Sequence, residues 1–145
     1  MKTAMLSWQF WAVLAAAFAA LTAIFAKIGV EGVNSDLATF IRTVVILIIV
    51  AAIVSMTGQW RGIHAVGGRT LVFLVLSGLA TGASWLCYFR ALQIGDAARV
   101  APVDKLSVVL VALFATLFLG ERLSVTGWVG IAMIAGGTVL IAMRA

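Results

Sequence analysis

An all-α fold, a polytopic bundle of five transmembrane helices, is what this sequence predicts, and three observations carry it. Of 145 residues, 64% are hydrophobic and only 10% charged, and the mean hydropathy is +1.20. A soluble domain keeps roughly a quarter of its residues charged to hold its surface in water, so this chain has to face lipid. The apolar residues fall into long runs of about 20 residues, which at ~1.5 Å rise per residue cross a ~30 Å hydrocarbon core. Capping residues before the runs and glycines after them then mark where each helix starts and stops.

The first helix spans about 8–28, with Ser7 as its N-cap and Gly29 just past its end. Its apolar core is longer than that of a signal peptide, and Lys27 and Arg42 beyond it make an unusual mature start, so it reads as a span. The second helix covers about 36–57, introduced by Ser35 and stopped by Gly58. A link from Gln59 to Arg69 follows, carrying Trp60, Arg61, His64 and paired glycines. The third helix, 71–94, follows Thr70 and ends at Gly95. Asp96 caps the fourth, 97–119, which stops before Gly120, and the fifth runs 125–143 after Ser124. The other three links are only a few residues long, so sequential helices are antiparallel. Together they form a single transmembrane domain, 1–145, with no room for an extramembrane one.

Several chemistries drop out at this stage. The net charge of +5 is scattered near helix ends without a basic cluster, which reads as membrane electrostatics and not as nucleic-acid binding. The one cysteine, Cys87, lies within an apolar run and allows neither a disulfide framework nor a thiolate metal site in one chain. The one histidine, His64, sits in the polar link, outside the depth at which proton relays work. No metal cluster, nucleophile with a base, or phosphate-binding loop is evident, so neither a cofactor nor an enzyme activity is expected.

Loop charge leaves the orientation open. Lys2, Arg61, Arg69 and Arg122 fall on one side of the membrane and Lys27, Arg99 and Arg144 on the other, four cations against three. Counting Arg42, Arg90 and Lys105, which lie deeper but nearer the second side, makes it four against six. The positive-inside rule thus selects neither a single orientation with the N-terminus outside nor insertion both ways up. Trp8, Trp11, Trp60 and Trp128 cluster at the four-cation side as an interfacial belt.

Charges inside the spans are the functional lead, because an ionised group at membrane depth costs free energy unless it is paired, hydrated or able to snorkel. Arg42 lies about two turns into the second helix, Arg90 about one turn from the end of the third, and Asp104 and Lys105 about two turns into the fourth. This layer holds three cations and one anion. Arg90 and Lys105 have long stems that reach an interface. Asp104 is too short to do so and is either a protonatable switch or half of a fixed salt bridge to Arg42 or Arg90. Pro102, the one proline, precedes it and removes a backbone donor; it is either an ordinary first-turn proline or an opened helix that offers backbone groups to a solute.

On the third helix Ser77, Thr81, Ser84 and Tyr88 recur at helical spacing as a polar stripe, with Gly78, Gly82, Trp85 and Phe89 beside it. Hydroxyls facing lipid would be wasted, so this stripe is expected either to line a cavity with Trp85 and Tyr88 as walls or to pack helices through small residues. Gly130, Ala132, Gly136 and Gly137 on the fifth helix likewise suit close backbone approach, at a dimer seam or against the fourth helix.

The run Tyr88, Phe89, Arg90, Ala91, Leu92 to Gly95, then Ala101, Pro102, Val103, and finally Leu119, Gly120, Glu121 before the glycine-rich fifth helix, resembles the EamA repeat of the drug/metabolite transporter superfamily. The resemblance covers nearly the whole chain. Members usually hold two such repeats in inverted orientation around a central substrate site, so the resemblance implies that two copies of this one-repeat chain assemble antiparallel, as the four-helix small multidrug resistance proteins do. Two departures stand out. Members often carry another proline nearer the middle of the fourth helix, where this chain has Ser107, Val108 and Val109. The small multidrug resistance proteins couple through a glutamate in their first helix, which here contains no acid.

The reading that follows is a transporter of a small metabolite or amphipathic solute in the bacterial inner membrane. Its expected partners are the lipid bilayer, an inverted second copy and the solute, and it works by alternating access. Arg42, Trp85, Tyr88, Ser84, Thr81, Ser77, Pro102, Asp104 and Lys105 are the substrate and coupling candidates. Gly78, Gly82, Gly130, Ala132, Gly136 and Gly137 are the packing candidates. The competing reading is a subunit of a heteromeric flippase for a lipid-linked sugar, or another non-transporting assembly subunit.

Overall fold

The computed structural model describes residues 7–143, so Lys2 and Arg144 lie outside the described residues. Among the described residues the fold is all-α, without strands, and five stretches are long and apolar enough to cross a membrane. The helices are α1 (Trp8–Gly29), α2 (Ser35–Met56), α3 (Gly68–Ile94), α4 (Ala97–Asp104), α5 (Ser107–Phe118) and α6 (Val125–Met143), with a short 3-10 segment at Gln59–Ala65.

Two compact units divide the chain: Phe25–Ile94, holding α2 and α3, and the remainder, holding most of α1 together with α4, α5 and α6. In the first unit α2 packs against α3, most tightly where Ser35, Thr39, Phe89 and Leu92 are buried. Lys27 Nζ donates to the Leu92 carbonyl at 2.9 Å, and Gln93 Nε2 donates to the Val33 carbonyl at 3.0 Å. A cation is thereby placed on the carbonyl end of α3, the pole at which a helix dipole favours it. In the second unit α4 and α5 pack against α6, and the small side chains of Ala112, Ala115 and Thr138 are buried.

Large apolar side chains do the opposite of what they do in a soluble core. Leu47, Phe73 and Leu117 are 66%, 61% and 73% exposed. Contiguous apolar surface on this scale is stable only against lipid or a partner. Six hydroxyls of the spans are satisfied locally: Thr39, Thr43, Ser55, Thr81, Thr116 and Thr138 each donate to the carbonyl four residues back. That local bond removes the cost of placing an unpaired donor in hydrocarbon.

Some helix ends shift by one residue, Gly29 closing α1 where it was expected to follow it, and three further boundaries differ from the sequence reading. The cap of α2 is Asn34 and not Ser35: Asn34 Oδ1 accepts from the Asp36 and Leu37 amides at 2.9 and 3.3 Å. Ser35 is already helical and fully buried, because the extended backbone at Asn34 puts the longer amide side chain in reach of the free N–H groups. Helix α3 starts at Gly68, with the Leu71 amide closing on the Gly67 carbonyl, so Thr70 lies inside its first turn. The third difference is larger. The fourth span is two helices, interrupted at Lys105–Leu106. Pro102 supplies no amide to the Ala98 carbonyl, and one turn later the ladder tightens. The Lys105 amide is shared between the Ala101 and Pro102 carbonyls at 3.3 and 3.0 Å, and the amides of Leu106, Val108 and Val109 reach three residues back, to Val103, Lys105 and Leu106.

Two expected stops hold for a physical reason: Gly58 and Gly120 take left-handed backbone at φ +68 and +67 after α2 and α5. Nothing lies within 4 Å of a Cβ built at Gly120, so the conformation alone demands glycine. Gly120→Ala should cost about 1–2 kcal/mol, read from the unfolding midpoint of the purified protein in mixed micelles followed by circular dichroism. Gly62→Ala, at a site of equal space without positive φ, should be near neutral.

Candidate functional site

Arg42 is the side chain around which a site forms in the α2–α3 unit. It sits on the eighth residue of α2, roughly 10 Å along the helix from Ser35. Its guanidinium carbon lies 3.0 Å from the Trp85 ring centroid and 5.7 Å from that of Phe89. At that separation the planar group must lie flat on the indole. Trp85 is held in turn by Tyr88, edge-on at 6.0 Å and 79°, and by Phe89 at 6.1 Å and 49°. Trp85, Tyr88, Phe89 and Leu92 recur at helical spacing, and this face of α3 packs while Arg90 is exposed. Arg90 comes two residues after Tyr88, about 200° around the helix, so the backbone itself separates it from that face.

The energetics of this contact are incomplete. An arginine at depth costs ~3 kcal/mol on an insertion scale, and a desolvated cation–π contact returns about 2 kcal/mol. Arg42 is half-exposed, and no carboxylate among the described residues lies within ion-pair distance of it. The guanidinium is positioned but not neutralised.

The remaining candidates fall into separate places. Ser77, Gly78, Thr81, Gly82 and Ser84 are exposed, on the part of α3 before its packed end. A Cβ at Gly78 or Gly82 would meet nothing within 4 Å. In the other unit Asp104 ends α4 and pairs with its neighbour Lys105 at 3.5 Å, the two side chains being 36% and 56% exposed. Pro102 is half-buried two residues before it. On α6 the packed side is carried by Gly127, Ile131, Ala135 and Thr138; Gly130 is half-buried, whereas Ala132, Gly136 and Gly137 are exposed. Built Cβ atoms at Gly130, Gly136 and Gly137 meet nothing within 4 Å.

Sequence reasoning missed the pairing of Arg42 with Trp85 and the clasp of Lys27 on α3. Both join residues far apart along the chain, where helical periodicity carries no information. The sole available signal was an uncompensated cation on one span opposite an aromatic cluster at matching depth on the next, antiparallel one.

Comparisons with known proteins agree on the class. Residues 6–143 match the EamA-like transporter family. A protein of Sinorhizobium sp. named "Uncharacterized transporter in cobO 3'region" is 66% identical over 137 residues, covering 94% of this chain and 97% of the relative. No solved structure matches.

Proposed function

The chain belongs to the EamA-like transporter family, and on that premise we propose that it carries a small metabolite or amphipathic solute across the bacterial inner membrane as an antiparallel homodimer working by alternating access. The observation that supports this most is a single repeat of five spans whose polar stripe, Ser77, Thr81 and Ser84, is left exposed at membrane depth. A second copy in inverted orientation covers that stripe and supplies the missing repeat, and the near-balanced loop cations permit the inversion. The Sinorhizobium relative, 97% of which this chain covers, is too short to hold a second repeat.

In this reading Arg42, Trp85, Tyr88 and the serine–threonine stripe contact the solute, while Asp104 with Lys105 and the helix interruption after Pro102 serve coupling. Gly78, Gly82, Gly130, Ala132, Gly136 and Gly137 let backbones of the two copies approach. The protein is a carrier and not an enzyme, and its partners are lipid, solute and its own second copy.

Purified protein alone in vesicles, challenged with pooled labelled metabolites in a counterflow format, tests this. Saturable uptake of at least one solute is expected. Inactivity that is relieved only by a second, different chain would replace the homodimer with a heteromeric assembly such as a lipid-linked sugar flippase.

A further inference from the structure

We infer that Arg42, laid flat on Trp85, is the receptor for the anionic group of the transported solute, a carboxylate or phosphate ester attached to an apolar or aromatic body. The inference rests on the carrier reading above. A guanidinium pressed against a ring at 3.0 Å directs its N–H bonds in its own plane, parallel to the indole and away from it. That plane holds the fork that matches a carboxylate or phosphate bidentately. One face of the guanidinium is occupied by Trp85, so an approaching group can meet it at the edge, which is the direction that recognises anions.

The surroundings select further. The aromatic rings hold one face of Arg42, and no carboxylate among the described residues pairs with it, so its hydrogen-bonding edge is not neutralised by an acid of the fold. Trp85 and Tyr88 are half-buried beside it and present aromatic surface at the same level. A small, fully hydrated anion gains nothing from those rings, whereas an anion carried on an apolar body gains from both.

The same chemistry can arrive from two sources, a free organic anion or the phosphate of a lipid headgroup, and the test separates them. Purified protein in phosphatidylcholine nanodiscs is titrated with phenyl phosphate, with benzylamine as the cationic counterpart of similar body, and binding is read by equilibrium dialysis. Phenyl phosphate should bind saturably and more tightly than benzylamine. Arg42→Gln should weaken phenyl phosphate by about ten-fold or more, the loss expected for a charge-assisted hydrogen-bonding pair, and leave benzylamine unchanged. Arg42→Lys keeps the charge but loses the fork and the stacking, and it should fall between the two. It also serves as the folded comparison if the glutamine variant fails to elute as a monodisperse species. Including phosphatidylglycerol in the discs assigns the source. Competition that depends on Arg42 identifies the phosphate of an anionic lipid, whose charge no choline offsets; its absence identifies the free solute. Equal binding of benzylamine and phenyl phosphate, no binding of either, or an arginine variant that binds phenyl phosphate within two-fold of the native protein overturns the inference. Transport reads separately: solute flux that survives Arg42→Gln removes the anion receptor and leaves the carrier standing. Arg42-dependent binding without any flux removes the carrier and leaves the receptor.

Discussion

Two variants of this protein that are each locked into one orientation should be inactive alone and active together. The prediction follows from how little holds the orientation now, four cations on one side against three on the other. Gln59→Lys with Ile63→Lys adds two cations to the first side, in the exposed link before α3. Glu31→Lys with Ala98→Lys adds two to the second, at exposed positions that cap no helix. The orientation of a span follows the lysine and arginine bias of its short flanking loops, so each pair should convert a mixed population into a nearly uniform one. C-terminal reporter fusions should give signal from both sides of the membrane for the native chain and from one side for each variant. Flux in cells should fall to background for either variant and return on co-expression. Full activity of either variant alone would end the antiparallel homodimer and require an inverted partner chain of different sequence. The size of the expected effect, all or none, comes from symmetry. A two-fold assembly with its axis in the membrane plane cannot be built from copies that all point one way.

The parts of this molecule that could be read from the sequence are those set by short-range physics. Five spans follow from run length and hydropathy, and Gly58 and Gly120 stop helices because a left-handed residue without a Cβ is what a helix end requires. The cap of α2 was misplaced by one residue since Asn34 and Ser35 both carry capping side chains, and only the backbone at Asn34 decides between them. The interruption of the fourth span was half legible. Pro102 signals a weakened ladder, but the break at Lys105–Leu106 falls a turn later, where the amides of Leu106, Val108 and Val109 settle for a three-residue reach. The candidate site was legible as a set of unusual residues and not as an arrangement. Arg42 and Trp85 were both flagged, but their stacking depends on the depth at which two antiparallel helices are registered. Periodicity within one helix says nothing about register against another.

Replacing Asp104 with asparagine should abolish proton-driven accumulation while leaving the fold and downhill exchange in place. The carboxylate is a poor structural element: its partner is the adjacent Lys105 at 3.5 Å, and both are substantially exposed. Pairs of that kind contribute about 0–1 kcal/mol, so Asp104→Asn should shift the unfolding midpoint little. What it removes is the difference between a charged and a neutral side chain at the end of α4, beside the interruption of the span. Carrying an ionised aspartate through the membrane interior costs ~3 kcal/mol, close to two decades in the population of any state that desolvates it. If the exchange passes through a state that desolvates Asp104, neutralising the side chain would lift that penalty and the exchange would follow the proton gradient. Asparagine is permanently neutral, so exchange continues but no longer senses pH. In vesicles with an imposed pH gradient the native protein should concentrate its solute, and the variant should reach only equal concentrations on the two sides. Lys105→Gln separates the gate from the ion pair. If Asp104 acts by its own protonation, this variant still concentrates solute; if only the pair matters, it fails as Asp104→Asn does. Undiminished, proton-dependent accumulation by Asp104→Asn would take Asp104 out of coupling altogether and leave this interrupted span to serve by its backbone alone.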